Sequence, residues 1–169
     1  MTYTVKVDYR KVYVNGVRCR SLHEIDDDCC SGGFRWIFVT PDNKILKMDF
    51  TPSYGYRDPF YRQTEAEVQL YDVISSRDRR HFPKILASGV RGRNLWWLIE
   101  ERLKIDGKAR LTKAQAALAR QLKNKYSIGD IYPRVGKKNT LFNWGVTIRG
   151  RVVIWDFGCN RFNCGNDYD

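Results

Sequence analysis

Histidine and methionine are scarce in this chain, two of each in 169 residues, and its cysteines number five. His23 and His81 stand alone, Cys29 and Cys30 are adjacent, and Cys159 and Cys164 have four residues between them. The two closely spaced Cys/His pairs of a structural zinc site are therefore missing. An odd cysteine count makes no disulfide framework in a chain of this size, and reduced thiols are expected. Long apolar runs are missing too: nothing approaches the roughly 20 consecutive apolar residues that span a bilayer. The opening Met1-Thr2-Tyr3-Thr4-Val5-Lys6-Val7 lacks the apolar core of a signal peptide. A cytoplasmic protein with no membrane partner is expected. Repeats and low-complexity segments are absent, and 43% hydrophobic with 29% charged residues is the composition of a folded chain. The length allows one domain or a small two-lobed one.

Acidic residues are nearly missing from one stretch. Residues 102–151 hold 13 Lys/Arg against only Asp106 and Asp130, while the rest of the chain balances 17 against 17, so the whole net charge of +11 belongs to this segment. Such a field attracts phosphates, nucleic acids or acidic proteins without choosing among them, and it serves equally as a solvated surface.

What is present reads first as strands. Tyr3, Val5 and Val7, then Val12 and Val14, alternate in the manner of a half-buried strand, and Asn15-Gly16 predicts a tight hairpin turn. A second hairpin is expected from Phe34–Val39 and Lys44–Phe50 around Thr40-Pro41-Asp42-Asn43. Asp58-Pro59 marks a helix start, and a helix to Ser76 would turn Phe60, Thr64, Val68, Tyr71 and Ile74 inward. Glu67 falls inside that stripe, and an inward carboxylate asks for a cation from a neighbouring element. Two further strands, Lys84–Val90 and Asn94–Glu100, precede an alanine-rich helix whose Thr112 and Gln115 have capping-box spacing. A last hairpin, Trp144–Ile148 with Arg151–Trp155, ends at Asp156-Phe157-Gly158. The expected organisation is a β-rich lobe over residues 1–103 and a small second lobe over 104–169. The terminal stretch from Arg161 is expected to be loosely ordered.

Several of these pieces carry chemistry. Ser31-Gly32-Gly33 lies between strands, where two glycines let backbone amides approach a phosphate, although the same pair makes an ordinary hairpin turn. Lys47 follows on the next strand, on the face of Ile45, with Glu67 as its natural counter-ion. Asn143 and Asp156, at adjacent hairpin ends, are hard oxygen ligands suited to Mg²⁺ beside a phosphate. Asp-Phe-Gly alone reads as a strand followed by a turn.

In order and spacing these parts, from about Cys29 to Gly158, resemble the protein-kinase-like fold, including its compact phage-encoded versions. The resemblance implies an α+β protein with an antiparallel β-rich N-lobe, one αC-type helix and a severely truncated C-lobe. It implies ATP and Mg²⁺ as cofactors. Ser31, Gly32 and Gly33 would cover the phosphates, Lys47 would contact the α and β phosphates, and Glu67 would orient it. Backbone from Glu101 to Leu103 would meet adenine, and Asn143 and Asp156 would hold the metal. Five residues before Asn143, where the family has a catalytic Asp, this chain has Lys138; the nearest acidic candidate is Asp130, which would accept or orient a substrate hydroxyl. Only Cys159–Asp169 follow Gly158, too few for an activation segment, so a partner or a second copy of the chain is expected to cover the surface left bare. Two roles stay open: a kinase-like protein that binds ATP and Mg²⁺ and passes a phosphoryl group to a protein or small molecule, or a catalytically inactive pseudokinase module that engages an acidic host protein or a nucleic acid through the basic segment. A third reading, a β-rich nucleic-acid binder unrelated to kinases, would use Tyr132, Phe142 and Trp144 to stack on bases.

Overall fold

The computed structural model describes residues 2–8, 11–21, 35–49, 62–91, 95–129, 131, 135–136 and 143–163. It is a mixed α+β structure with antiparallel sheets, and it divides into two compact units: Met1–Thr64 with Ile85–Arg102, and Glu65–Lys84 with Leu103–Asp169. The expected turn at Ser31-Gly32-Gly33, the helix start at Asp58-Pro59, the candidate base Asp130, and the aromatics Tyr132 and Phe142 lie outside the described residues.

The first unit opens with β1 (Val5–Asp8), β2 (Lys11–Val14) and β3 (Val17–Arg18) in one antiparallel sheet. The turn between β2 and β3 needs positive φ at both central residues, and Asn15 (51°) with Gly16 (80°) supplies it. Asn15 also ties the turn to the chain start, accepting the Thr4 amide on Oδ1 at 2.8 Å and donating its own amide to the Thr4 carbonyl at 2.9 Å. A second sheet follows, built from β4 (Arg20–Ser21), β5 (Arg35–Val39), β6 (Ile45–Asp49), β7 (Ile85–Arg91) and β8 (Leu95–Glu100), in the order β4-β5-β6-β8-β7. The β5–β6 turn is closed by Thr40, whose hydroxyl donates to Asp42 at 2.6 Å and accepts the Lys44 amide at 2.9 Å. Apolar faces of both sheets meet in one core: Val12, Val14 and Cys19 against Leu46, Met48 and Ile99.

The second unit has a helix-based core. Helix α1 (Gln63–Val73) buries Ala66, Glu67 and Leu70, with Val68 and Tyr71 half-buried, and Ile74 just past its end is buried as well. The stripe is thus rotated from the expected one: Thr64, Glu67 and Ile74 stay inward, and Leu70 replaces Val68 as the central apolar contact. Leu70 and Ile74 join Phe82 and residues of the C-terminal half, which is why this helix groups with them. Its first turn is capped from a distance, the Thr64 amide donating to Asp49 Oδ1 at 2.9 Å.

Helix α2 (Lys113–Tyr126) carries the capping box in full: Gln115 N–H to Thr112 Oγ1 at 3.2 Å, and Thr112 N–H to Gln115 Oε1 at 2.9 Å. It ends at Ser127 in the left-handed conformation (φ 48°). Arg161 then donates to the last carbonyls of the helix, Lys125 (2.5 Å) and Tyr126 (3.4 Å), so the start of the tail is anchored rather than loose. Strands β9 (Trp144–Val146) and β10 (Val152–Ile154) pair antiparallel. They contribute Trp144, Val146, Val152 and Ile154 to a core shared with Leu111, Leu122, Tyr126 and Phe157. Trp144 is fully buried there, a core residue rather than a platform for bases. Cys19 is a free buried thiol, whereas Cys159 is disulfide-bonded, against the expectation of reduced thiols throughout.

Candidate active site

Lys47 sits in the middle of β6, only 3% exposed. Strand register places it opposite Leu98, and Glu100, two residues further along β8, shares its face. The ammonium meets Glu100 Oε1 at 3.0 Å, with both side chains almost wholly buried. The sequence places Glu100 only at the end of a strand leading into the segment expected to meet adenine, not as a partner of Lys47. It closes an otherwise apolar run, Leu95-Trp96-Trp97-Leu98-Ile99, and a charge ending such a run is the signal that could have found it. Desolvation makes either charge costly alone, so the pair fixes a cation at a defined point of the sheet.

In the second unit the end of the β9–β10 hairpin is fastened by one residue. Asn143 adopts the left-handed conformation (φ 70°), and its carbonyl oxygen accepts the amides of both Trp155 (2.9 Å) and Asp156 (3.3 Å). Asn143 and Asp156 are thereby neighbours at the mouth of the hairpin, both half-buried. Asp156 Oδ1 accepts the Gly158 amide at 3.4 Å, the pattern of an Asx turn.

The turn after Asp156 is gripped from α1. Glu67, fully buried, accepts the Phe157 amide on Oε1 at 3.0 Å across 90 residues of chain. The inward carboxylate foreseen from the helix periodicity is therefore inward, and a backbone N–H is one of the groups it meets. Phe157 is buried edge-on against Phe82, 5.1 Å between centroids. Asn160, also fully buried, donates its amide to the carbonyls of Ala66 (3.0 Å) and Phe157 (2.7 Å), clipping the turn to the helix a second time. Nothing in the sequence distinguished Asn160 from the polar residues that follow it.

The remaining predicted positions are less committed. Glu101 and Leu103 lie half-buried in an extended segment after β8, with Arg102 between them donating to Asn43 Oδ1 at 2.8 Å. Among the described residues no group of three or more His, Cys, Asp or Glu side chains gathers as a metal site. No helix among them is long and apolar enough to cross a membrane.

No family model and no curated protein matches the chain. Solved structures do. A crystal structure of monomeric WbdD aligns with a TM-score of 0.58 at 15% identity, over 95% of this chain and 44% of that one. WbdD with the kinase inhibitor LY294002 aligns with a TM-score of 0.53 at 16% identity, over 80% and 33%. A structure described as the bifunctional kinase-methyltransferase WbdD gives 0.51 at 17% identity, over 76% and 30%. The fold is similar to a kinase-like one. The likeness is one of fold, and the chain spans between 30% and 44% of the length of these WbdD chains.

Proposed function

We propose that the protein binds ATP with Mg²⁺ and transfers its terminal phosphoryl group to a hydroxyl of a protein or small molecule. The observation that supports this best is the fastening of Asn143 beside Asp156 at the mouth of a hairpin, in a chain of kinase-like fold. One carboxylate and one amide oxygen suit Mg²⁺, which keeps several waters and takes its other ligands from phosphates; a closed cage of carboxylates would suit it less. The donor set therefore fits the ion. Bound there, Mg²⁺ would neutralise charge on the phosphate oxygens.

The protein's own residues have positioning roles in this reading. The Asn143 carbonyl fastens the backbone of Asp156, and Glu67 and Asn160 hold the adjoining Phe157, so little reorganisation would accompany binding. Lys47 carries a positive charge toward the α and β phosphates, Ser31, Gly32 and Gly33 cover them with backbone amides, and Glu101 to Leu103 meets the base. Asp130 orients the accepting hydroxyl. Phosphoryl transfer asks for little beyond positioning and charge, the roles assigned to these residues.

Thermal unfolding with and without Mg-ATP tests the reading. A rise in melting temperature that needs Mg²⁺, and that Asp156→Ala abolishes, supports it; no shift at millimolar Mg-ATP overturns it. Where binding occurs but labelled γ-phosphate reaches no acceptor, neither protein, small molecule nor the chain itself, the role is that of a pseudokinase.

A further inference from the structure

The segment Arg77-Asp78-Arg79-Arg80-His81 places three arginines in five residues just after α1, and the proposed nucleotide chemistry uses none of them. Their engagement is unequal. Arg79 belongs to the fold: its guanidinium donates to the carbonyls of Tyr71 and Asp72, 3.3 Å each, and lies 5.0 Å over the Tyr71 ring. Asp78 is also engaged, accepting from Lys125 Nζ at 2.6 Å and from the Tyr126 hydroxyl at 2.8 Å. That contact makes Asp78 and Lys125 a neutral pair at physiological pH.

His81, buried at the end of this segment, has both ring nitrogens engaged. Its Nδ1 stands 2.8 Å from the Val152 carbonyl, which only accepts, and its Nε2 receives the Arg80 Nε–H at 3.3 Å. Together these bonds describe a neutral ring with its proton on Nδ1. The guanidinium of Arg77 and the two terminal nitrogens of Arg80 remain, exposed and without a protein partner among the described residues. Both arginines line a cleft of about 170 Å³ whose other wall is α2. Asp78 is the only carboxylate among the lining residues, so the cleft carries two uncompensated positive charges. From α2 come the exposed amide of Gln121, the half-buried Leu118 and the buried Leu122.

Two guanidinium forks present paired N–H donors matched to the oxygens of a tetrahedral anion, where an ammonium would offer a point charge. Two unpaired charges suit a dianion, and a leucine surface beside them suits an apolar body attached to it. We infer that this cleft binds a phosphate monoester, with Arg77 and Arg80 on the phosphate, Gln121 as an additional donor, and the organic group against Leu118 and Leu122. The site is separate in its residues from the proposed nucleotide site, and it stands whether or not that proposal does.

Titration with phenyl phosphate, followed by NMR at the Gln121 side-chain amide and the His81 ring and by calorimetry, tests the inference. Phenyl phosphate should perturb both groups and bind more tightly than inorganic phosphate; equal affinity for the two would remove the apolar contact and overturn the monoester assignment. The double variant Arg77→Ala/Arg80→Ala should weaken phenyl phosphate at least tenfold, about 1.4 kcal/mol, and should stay folded with a melting temperature lowered only by loss of the Arg80–His81 hydrogen bond. Arg77→Lys/Arg80→Lys, which keeps the charge and removes the forks, should fall between the two. Asp156→Ala should bind phenyl phosphate as the wild type does. Loss of binding in Asp156→Ala with retention in the double alanine variant would place the phosphate at the nucleotide site and overturn the inference, as would phenyl phosphate binding without perturbation of Gln121 or His81.

Discussion

Lys47 and Glu100 show what burial does to a single pair of charges. Each is nearly inaccessible to water, so removing one takes from the other a buried partner at 3.0 Å. Lys47→Met should destabilise the protein by about 3–5 kcal/mol, and adding Glu100→Leu should restore most of it, because an apolar pair needs no mutual neutralisation. Urea unfolding of the two variants measures this; a double variant as unstable as the single one would contradict it. The pair formed by Asp78 and Lys125 has a different dependence on conditions. The Lys125 ammonium, with the Tyr126 hydroxyl, holds the Asp78 carboxyl down from 3.8 to about 2. The folded value lies below the unfolded one, so this contribution is present above pH 3.8 and is lost as pH falls toward 2. The melting-temperature advantage of the wild type over Asp78→Asn should therefore shrink across that window and be flat above it. Cys19 is the converse case: burial pushes its thiol up to about 11, so it is protonated at neutral pH and should resist alkylation in the native state, as mass spectrometry would register.

Local chemistry decided most of the elements. The Asn15-Gly16 turn, the Thr40–Asn43 turn and the Thr112 capping box are legible because the interactions that make them lie within a few residues. Thr112→Ala should cost about 1 kcal/mol, the usual worth of such a cap, read as a lower midpoint in urea with unchanged slope. Helix α1 was less legible. Its periodicity announced an inward Glu67, yet a stripe centred on Val68 and one centred on Leu70 differ by less than a turn, and packing with Phe82 and the C-terminal core selects the second. The sheet holds a tighter constraint at Gly89, where an added Cβ would come within 2.7 Å of Trp97 Cζ2. Gly89→Ala should destabilise by about 1–3 kcal/mol through overpacking, and a neutral result would mean that the indole moves aside freely.

At the scale of the whole molecule, the proposed binding of a magnesium nucleotide would register as added stability. At about 100 times its dissociation constant a single ligand adds about 2.7 kcal/mol, which for a domain of this size is a rise of several degrees in melting temperature. That shift should disappear when Mg²⁺ is chelated.

The strands, the second helix and the order of the candidate residues were determined by the sequence alone, because turns, caps and alternation are properties of neighbours along the chain. The tertiary structure decided which groups meet across it. Glu100 stands beside Lys47 through strand register, Glu67 holds the Phe157 amide across 90 residues, Asn160 ties the same turn to Ala66 across 94, and Arg161 closes α2. Each of those contacts depends on burial and direction, which no local pattern encodes, since a carboxylate or an amide gains a defined partner only when folding removes its water.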